Sequence, residues 1–589
     1  MESLFHRGCN LNMIEDNFGF LPTSKKEVES LGWDYIDVIL FTGDDYIDHP
    51  SFGTAVISRY LQKWGYRVAI IPQPNWRDDL RDFKKLGAPR LFFGVNSGVM
   101  DSMVNHYTAA KRLRSNDAYT PMGRAGQRPD YAVTVYSNIL KSLYPDVPVI
   151  IGGVEASLRR VAHYDYWQDR LFKSILFDSK ADFLVYGMGE LAIKAIAEGL
   201  ENGDSLTKLR GIRQLGYISD SIESRFSSNS VTLHSYEKAL KDKRLFAENF
   251  AVIERESNSY SPSHIIEPYS DGYVHINPPF QIQEDGFIDD FYDLPYKREP
   301  HFRYKGKHIP AYEMIKFSLT THRGCFGSCS FCTISAHQGK FVLSRSEESI
   351  LSEIQSITSQ PDFKGVISDI GGPTANMYKM KGINSKLCEK CKKDSCLFPV
   401  VCKNLNISHK PLLNLYDRIS KTEKLKRFFI SSGIRYDLFL NHISYLDSSG
   451  KEYLERVIKN HTSGRLKVAP EHTEKHVLKV MGKPSFKLFS FLRSEFEKIT
   501  KKEKKSYQLI PYFISSHPGC TMEDMKSLSL NRELKGLKLE QVQDFTPTPM
   551  TRSSVAYYTN LDPKTLKNIY VEKNMVKKQK QKSYFLDNF

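Results

Sequence analysis

Three cysteines lie within eight positions in the segment GCFGSCSFC, residues 324–332. Cys325, Cys329 and Cys332 have the spacing Cys-x3-Cys-x2-Cys and follow a run, residues 314–324, that is typical of a β-strand. Closely spaced thiolates hold iron–sulfur clusters, and the intervening glycine and serine let the backbone wrap around one. Three thiolates bind three irons of a 4Fe-4S cluster and leave the fourth free for a substrate or cofactor. A zinc site is the alternative, since Cys-x2-Cys is half of a zinc ligand set.

A second group of cysteines follows in LCEKCKKDSCLFPVVC. Its members are Cys388, Cys391, Cys396 and Cys402. Four thiols can close a tetrahedral zinc site, hold an auxiliary iron–sulfur cluster or remain reduced structural thiols. The crowding favours a metal of some kind, with its identity left open. Cys9 and Cys520 are isolated, which is typical of ordinary thiols.

Strand-like and helix-like segments alternate in the first part of the chain. The predicted strands are residues 37–45, 67–72, 90–95, 147–153 and 181–187, and the predicted helices are residues 52–65 and 189–200. Continuous apolar strands between helices predict an α/β fold with a mostly parallel sheet covered on both faces, Rossmann-like or flavodoxin-like.

Six further strands are predicted in the second part, most of them separated by helix-like segments. They are residues 314–324, 363–372, 426–434, 464–472, 507–519 and 540–550. This order predicts an open or partial β/α (TIM-like) barrel. The loops after the carboxyl ends of barrel strands converge on one face, and GCFGSCSFC occupies the first of these loops.

The chain of 589 residues is too long for one ordinary core, and the patterns divide it into four regions. We predict a Rossmann-like N-terminal domain, a connecting region with some β structure, a barrel with a cysteine-rich insertion at 380–403, and a basic C-terminal tail. Their bounds are 1–204, 205–312, 313–560 and 561–589. The basic run at 573–582 is typical of a solvated, frayed terminus.

The chain has 83 lysine and arginine residues against 68 aspartate and glutamate residues, which gives a net charge of +15. This excess permits binding to a polyanion, so RNA is a candidate partner. The aromatic and basic stretch at 158–170 has two interpretations, an RNA-stacking surface or, more commonly, a domain interface. No run approaches the roughly 20 apolar residues of a membrane helix, and the first residues lack the pattern of a signal peptide. We therefore expect a cytoplasmic protein with no membrane partner.

Several longer motifs connect this chain to a known family. GDDYIDHPSFG, GGVEASLRRVAHYDYWQD, GGPTANMY, SGIRYD, KVAPEHTE and PYFISSHPG are spread almost to residue 560. Together with the Cys-x3-Cys-x2-Cys loop, they resemble the YgiQ-type radical S-adenosylmethionine (radical SAM) proteins. The resemblance implies that a 4Fe-4S cluster cleaves S-adenosylmethionine reductively and that a 5′-deoxyadenosyl radical then abstracts a hydrogen atom from a substrate. A reductant such as a flavodoxin or ferredoxin would supply the electron, and the substrate stays unknown.

The resemblance also implies residue roles. Cys325, Cys329 and Cys332 would be the cluster ligands, and Gly371 and Gly372 would let the backbone approach the methionine moiety. Weaker candidates for cofactor or substrate binding lie at strand ends. These are Arg435, Asp437, Glu471 and His472.

The chain departs from the related patterns at two positions. Pro373 stands where many radical SAM proteins have a glutamate after Gly-Gly. Proline has no carboxylate side chain, so we do not expect the contact that this glutamate makes with the cofactor. In the family's second cysteine group the first cysteine lies upstream, where this chain has Gly382, so Cys388 is either a substitute or a bystander.

Cobalamin is not an expected cofactor. The N-terminal region resembles the domain that precedes the barrel in cobalamin-binding radical enzymes. Their Asp-x-His-x-x-Gly motif is absent, because Asp48 directly precedes His49 and Gly53 is one residue too far.

Two rival functions remain open. One is an RNA or protein methyltransferase or methylthiotransferase of the same superfamily. The other is a non-catalytic iron–sulfur or zinc protein that binds nucleic acid.

Overall fold

A computed structural model describes residues 19–223, 229–282, 284–391, 393–537 and 541–586. Most strands in the first part of the chain join one large mixed sheet. The strands of this part are β1 Val38–Thr42, β2 Val68–Pro72, β3 Phe92–Asn96, β4 Val149–Ile151, β5 His163–Asp165, β6 Arg170–Phe172, β7 Phe183–Val185, β8 Leu215–Ser219, β9 Ser230–Thr232, β10 His264–Tyr269 and β11 Gly272–Ile276. Within the described residues, nine of these form a sheet in the order β2-β1-β3-β4-β7-β8-β11-β10-β9, while β5 and β6 form a separate antiparallel pair.

Strands β2, β1, β3, β4 and β7 are parallel and lie where the apolar runs predict them. The α/β prediction is therefore confirmed. Strands β8 to β11, which fall in the predicted connecting region, extend the same sheet through antiparallel β7–β8, β8–β11 and β11–β10 pairs and a parallel β10–β9 pair.

Helices cover both faces of this sheet. They are α1 Lys25–Ser30, α2 Gly53–Lys63, α3 Arg81–Lys84, α4 Ser102–His106, α5 Ala132–Leu143, α6 Gly153–Leu158, α7 Ile175–Ser179, α8 Glu190–Glu201, α9 Leu206–Leu209, α10 Tyr236–Lys241, α11 Lys243–Ser257 and α12 Asp289–Tyr292. Successive strand residues point to opposite faces, so Ile39 and Phe41 of β1 share a core with α5 while Val38 and Leu40 pack with α2 and α8. This double burial explains why β1 is apolar from Val38 to Phe41.

The second part has shorter strands. They are β12 Ser318–Thr320, β13 His322–Arg323, β14 Leu343–Ser344, β15 Val366–Ile367, β16 Asp369–Gly371, β17 Arg427–Phe428, β18 Arg465–Glu471, β19 Gln508–Ser515 and β20 Gln541–Asp544. The parallel sets are β12–β16, β15–β17 and β18–β19–β20, and β13 pairs with β14 antiparallel.

Helices alternate with these strands. They are α13 Pro310–Ile315, α14 Ile334–Gln338, α15 Glu347–Thr358, α16 Ser385–Glu389, α17 Lys410–Ile419, α18 Ser448–Asn460, α19 Lys475–Met481, α20 Lys487–Lys502, α21 Met522–Ser529, α22 Arg552–Thr559 and α23 Met575–Leu586. Of these helices, α15, α17, α18, α19, α20, α21 and α23 share one core with the strands.

The prediction of a frayed terminus at 573–582 is wrong. Most of that run lies in α23, where Lys578 and Gln581 are buried, and the Gln581 side-chain oxygen accepts a hydrogen bond from the Ser516 amide at 2.9 Å. Phe585, one turn further on, packs in the core of the second part. The aliphatic stem of a lysine can cover apolar surface, so a basic run does not by itself predict solvation.

The aromatic stretch at 158–170 joins the two parts of the chain, which confirms the interface interpretation. Tyr164 and Tyr166 are buried, and the Tyr164 ring stacks on Tyr558 of α22 at 4.8 Å between centroids. These two rings are therefore covered by protein. Separately, within the described residues we find no helix whose length and apolar character would let it cross a membrane.

Candidate functional site

The cysteine loop at 324–332 leaves β13 in a tight curve that only small residues allow. Gly324 has φ +83°, and a side chain there would overlap the Phe341 carbonyl. A Cβ at Gly327 would overlap the Arg435 guanidinium and lie 3.3 Å from the Cys325 sulfur. Closure of the loop is maintained by the Cys325 amide, which donates to the Gly339 carbonyl at 3.1 Å.

A buried arginine approaches the thiols from a distant segment of the chain. Arg435 Nη1 donates to the Cys329 sulfur at 3.2 Å, while Nε and Nη2 donate to Asp437 at 3.0 and 2.5 Å. Burial raises the pKa of the Asp437 carboxyl, but the Arg435 guanidinium outweighs burial and holds that pKa below its ordinary value. Asp437 thus orients a permanent cation against the cysteine loop.

Burial alone works against ionisation of these thiols. It raises the pKa of Cys325, an effect that Arg435 opposes, and it raises the pKa of Cys332 to about 12, with a further contribution from Cys329. Three mutually interacting thiols beside one guanidinium need additional positive charge to ionise together. A bound iron cluster would supply that charge, so the donor set, the glycine cradle and Arg435 fit a cluster with three thiolate ligands.

The Gly-Gly segment after β16 adjoins this loop. Thr374 Oγ1 lies 3.6 Å from the Cys325 sulfur. A Cβ at Gly372 would fall 2.6 Å from His322 Cε1, and one at Gly371 would fall 2.7 Å from Ser432 Oγ. The predicted cofactor-binding glycines are therefore close to the predicted cluster ligands, in positions where an added Cβ would crowd Ser432 or His322.

Gly372→Ala is expected to destabilise the fold by about 1–3 kcal/mol, because the added methyl overpacks against the His322 ring. Gly433→Ala is the matched control, since a Cβ there meets nothing within 4 Å, and we expect a change below about 0.5 kcal/mol. Denaturant unfolding of the two variants measures both effects. Equal losses at the two positions would contradict the crowding seen at Gly372.

A cavity of about 420 Å³ lies between the two parts of the chain. One side is formed by the carboxyl ends of β1, β3, β4 and β7, including Asn96 and Gly153, and the other by His322, Gly372 and Ser432. Helices α2 and α8 begin at this cavity without a side-chain cap, so their first amides have no side-chain cap acceptor. Ligands of open α/β sheets bind at this edge, where the strand order reverses between β1 and β3.

His322 is a cavity residue that the sequence offered for proton transfer but that is not among the predicted site residues. It is fully buried, its Nδ1 lies 2.9 Å from Thr321 Oγ1, and its Nε2 has no hydrogen-bond partner among the described residues. Burial lowers the pKa of His322 to about 4, so the ring is neutral at pH 7. The available sequence signal for His322 and Ser432 was that both lie near the carboxyl ends of predicted strands, at 314–324 and 426–434.

The two remaining predicted residues, Glu471 and His472, lie in different surroundings although they are adjacent in the sequence. Glu471 has φ 67° and forms an ion pair with Lys483 at 3.4 Å, and its charge reaches Cys332. His472 instead turns toward Cys520, whose sulfur lies 3.5 Å from Nε2, and it does not line the cavity. The structure therefore gathers Arg435, Asp437 and Glu471 near the cysteine loop and leaves His472 apart.

The second cysteine group packs against the first. The Cys396 amide donates to the Phe326 carbonyl at 3.4 Å, and Ser328 Oγ donates to the Asp394 carbonyl at 2.5 Å. Cys520 is a buried free thiol, as expected, whereas Cys9 lies outside the described residues.

His49, the histidine considered for a corrinoid, is fully buried and does not line the cavity. Its Nδ1 accepts a hydrogen bond from the Ser51 amide at 3.1 Å. The expectation that cobalamin is absent stays a prediction.

Asp45, in the loop after β1, makes the folding stability of the chain depend on pH. Burial and the adjacent Asp44 carboxylate raise the pKa of Asp45 to about 8, against the opposing influence of Tyr304, Arg128 and Arg303. The folded state then holds a proton that the unfolded chain releases near pH 4. The associated stability is complete below that pH and is lost as pH rises through 8.

Asp45→Asn is therefore expected to flatten the fall in stability between pH 5 and 8.5, by at most about 1.4 kcal/mol per pH unit. Thermal unfolding across this range measures the difference from the parent chain. Asp146→Asn, which changes an exposed carboxylate, should leave the slope unaltered. A parallel shift of the whole profile in Asp45→Asn would refute the proposed titration.

Sequence comparisons identify the relatives of this chain. A family model described as Radical SAM N-terminal matches residues 20–318. UPF0313 proteins of Porphyromonas gingivalis and Bacteroides thetaiotaomicron are 55% and 54% identical to this chain. Each match covers 96% of this chain, and the matches cover 90% and 93% of those two proteins. The chain belongs to the UPF0313 family. UPF0313 is the family of YgiQ-type radical SAM proteins, so the resemblance drawn from the motifs is confirmed.

The UPF0313 chain also has a fold relative among solved structures. This is the radical S-adenosylmethionine methyltransferase TsrM from Kitasatospora setae, solved with cobalamin and a 4Fe-4S cluster bound. The identity is 14%, the TM-score is 0.50, and the match covers 89% of this chain and 74% of that one. At this identity the likeness shows the fold alone.

Proposed function

We propose that this UPF0313 protein is a radical SAM enzyme with Cys325, Cys329 and Cys332 as the ligands of a 4Fe-4S cluster. The observation that carries the proposal is the contact between the cysteine loop and the Gly-Gly segment, whose Gly371 and Gly372 line a cavity of about 420 Å³. When bound, the cluster supplies one electron that cleaves S-adenosylmethionine to methionine and a 5′-deoxyadenosyl radical, which removes a hydrogen atom from the substrate.

The chain's own residues prepare this chemistry. Arg435 donates to Cys329 and stabilises negative charge on the loop, with Asp437 holding the guanidinium in place. Gly371 and Gly372 keep the backbone open to the methionine moiety. The cavity walls from the two parts of the chain would surround the site where a radical acts and limit its contact with water.

The layout we propose is a Rossmann-like sheet followed by a partial β/α barrel. The short parallel sets β12–β16, β15–β17 and β18–β19–β20 would be arcs of that barrel. In such a barrel the chain segments that follow β12 and β16 share the carboxyl-end face, which agrees with the proximity of Thr374 to Cys325.

A methyl or methylthio transfer to RNA or protein is the second candidate. One observation favours this second function: the cavity reaches the carboxyl edge of the first sheet, where a second cofactor or part of a larger substrate would have room to bind. The net charge of +15 would attract RNA. In this case S-adenosylhomocysteine would accompany or replace 5′-deoxyadenosine among the products.

Anaerobic reconstitution with iron and sulfide, followed by incubation with S-adenosylmethionine and a low-potential reductant, tests the proposal. We expect methionine and 5′-deoxyadenosine in equal amounts, with flavodoxin or ferredoxin able to replace the chemical reductant. Bound zinc, with no cleavage of S-adenosylmethionine, would overturn the proposal in favour of a non-catalytic metal protein. Comparison of metabolites and modified nucleosides from cells with and without the protein then identifies the substrate class.

A further inference from the structure

The cysteine-rich insertion is closed into a loop at its base. Gly382 forms an antiparallel bridge with Leu405, and the Ile383 amide donates to the Asn404 carbonyl at 2.7 Å. Within the loop that this pairing closes, the Cys391 amide donates to the Cys388 carbonyl at 3.0 Å and the Cys402 amide donates to the Cys396 carbonyl at 2.8 Å. The backbone therefore returns all four cysteines to one small region.

Hydrogen-bond donors are aimed at two of these sulfurs. Asn404 Nδ2 donates to the Cys388 sulfur at 3.2 Å, and the Lys393 amide donates to the Cys391 sulfur at 3.5 Å. Asn404 is itself fixed, because its Oδ1 accepts from the Asn384 amide and its Nδ2 also donates to the Asn384 carbonyl, both at 2.9 Å. Such donors orient thiolates and favour their charged form.

The packing around Cys388 is specific. A Cβ at Gly382 would overlap the Cys388 sulfur, with Asn404 Nδ2 at 3.2 Å on another side. Cys388 therefore occupies the space that a side chain at 382 would fill. This placement indicates that Cys388 is a member of the group and not a bystander.

A buried cation completes the site. Lys340 is 3% exposed, its ammonium group donates to the Lys393 carbonyl, and its charge acts on Cys388 and Cys396. Among the described residues no carboxylate forms an ion pair with Lys340. A buried ammonium group needs a compensating negative charge, which thiolates or a thiolate-held cluster would provide.

The spacing of the sulfurs argues against a single zinc ion. Tetrahedral Zn–S bonds of about 2.3 Å place thiolates roughly 3.8 Å apart. In the part of the chain that the structure describes, the only three His, Cys, Asp or Glu ligand atoms that all lie within 4.8 Å of one another belong to Glu474, His476 and Asp524, so no three of these four sulfurs are that close. A cluster spreads its thiolates more widely, because each binds a different iron.

We propose that Cys388, Cys391, Cys396 and Cys402 hold a second iron–sulfur cluster, of the 4Fe-4S type, seated against the loop of the first. The inference goes beyond the proposed function, because it concerns a separate ligand set and requires no S-adenosylmethionine. Four thiolates leave no open iron, which suits electron transfer or support of the fold. Contact through Phe326 and Ser328 would place this cluster next to the Cys325–Cys332 loop.

Metal analysis of the full chain after anaerobic purification and reconstitution tests the inference. The parent chain should bind about eight iron atoms. The variant C325A/C329A/C332A, which keeps the second group intact, should retain about four iron atoms and the electron paramagnetic resonance of a reduced cluster. The variant C391S/C396S should retain about four iron atoms on the first loop, and C520S should match the parent chain.

Loss of all iron from C325A/C329A/C332A, with only about four iron atoms in the parent chain, would overturn the second cluster. So would one zinc per chain that disappears in C391S/C396S. The triple variant leaves the insertion unaltered, so its result does not depend on whether C391S/C396S folds. Absent S-adenosylmethionine cleavage with eight iron atoms present would instead count against the proposed function alone.

Discussion

Cys329→Ala is expected to lose the first cluster, which amounts to about four iron atoms per chain. The part of the thiolate-to-iron absorbance at roughly 400 nm that this cluster contributes should be lost with it. Cys329 is the thiol that Arg435 contacts, and the two remaining cysteines cannot ligate three irons. Cleavage of S-adenosylmethionine should fall below detection. Iron assay, absorbance and 5′-deoxyadenosine analysis of the reconstituted variant measure the three losses.

Cys520→Ala is the control for this prediction. Cys520 lies in the same part of the chain but contacts His472 and Gln581 instead of another thiol. We expect it to keep the parent's iron content and activity despite some loss of packing. A Cys329→Ala protein with full iron and full absorbance would refute the ligand assignment.

Arg435→Met is expected to destabilise the protein by about 3–5 kcal/mol, because it leaves Asp437 buried without its partner. The Arg435 and Asp437 side chains are 10% and 7% exposed, so solvent cannot replace the lost charge. The double variant R435M/D437N removes the stranded carboxylate and should recover most of that stability. Denaturant unfolding measures both changes.

The double variant also isolates the role of Arg435 at the cluster. We expect it to fold, yet it lacks the charge-assisted bond to Cys329, which is worth about 1.5–3 kcal/mol. We therefore expect 5′-deoxyadenosine formation to fall roughly 10- to 100-fold. Unchanged cleavage in a stable R435M/D437N protein would mean that the arginine only supports the fold.

The first sheet was predictable because each parallel strand is buried on both faces. Strands β1 and β2 coincide with apolar runs that end at small or turn-forming residues. The second part was less regular. Residues 314–324 predict one strand, but Pro310 starts α13, which extends to Ile315 and leaves only Ser318–Thr320 for β12.

The cysteine loop was predictable from spacing, whereas its environment was not. Arg435 reaches Cys329 across 106 residues, which no local pattern encodes. At β18 the register shifts between Val468 and Glu471, and Glu471 has φ 67°. That irregularity breaks strand alternation, so Glu471 faces Lys483 near the loop while His472 turns to Cys520.

The central claim is that the loop at 324–332 leaves one iron open to S-adenosylmethionine. Electron paramagnetic resonance of the reduced protein tests it most directly, in a C391S/C396S background where only the first cluster contributes. We predict that S-adenosylmethionine changes the spectrum at concentrations that support cleavage, and that Cys329→Ala in this background shows no cluster signal. A reduced cluster whose spectrum is identical with and without saturating S-adenosylmethionine would contradict the account.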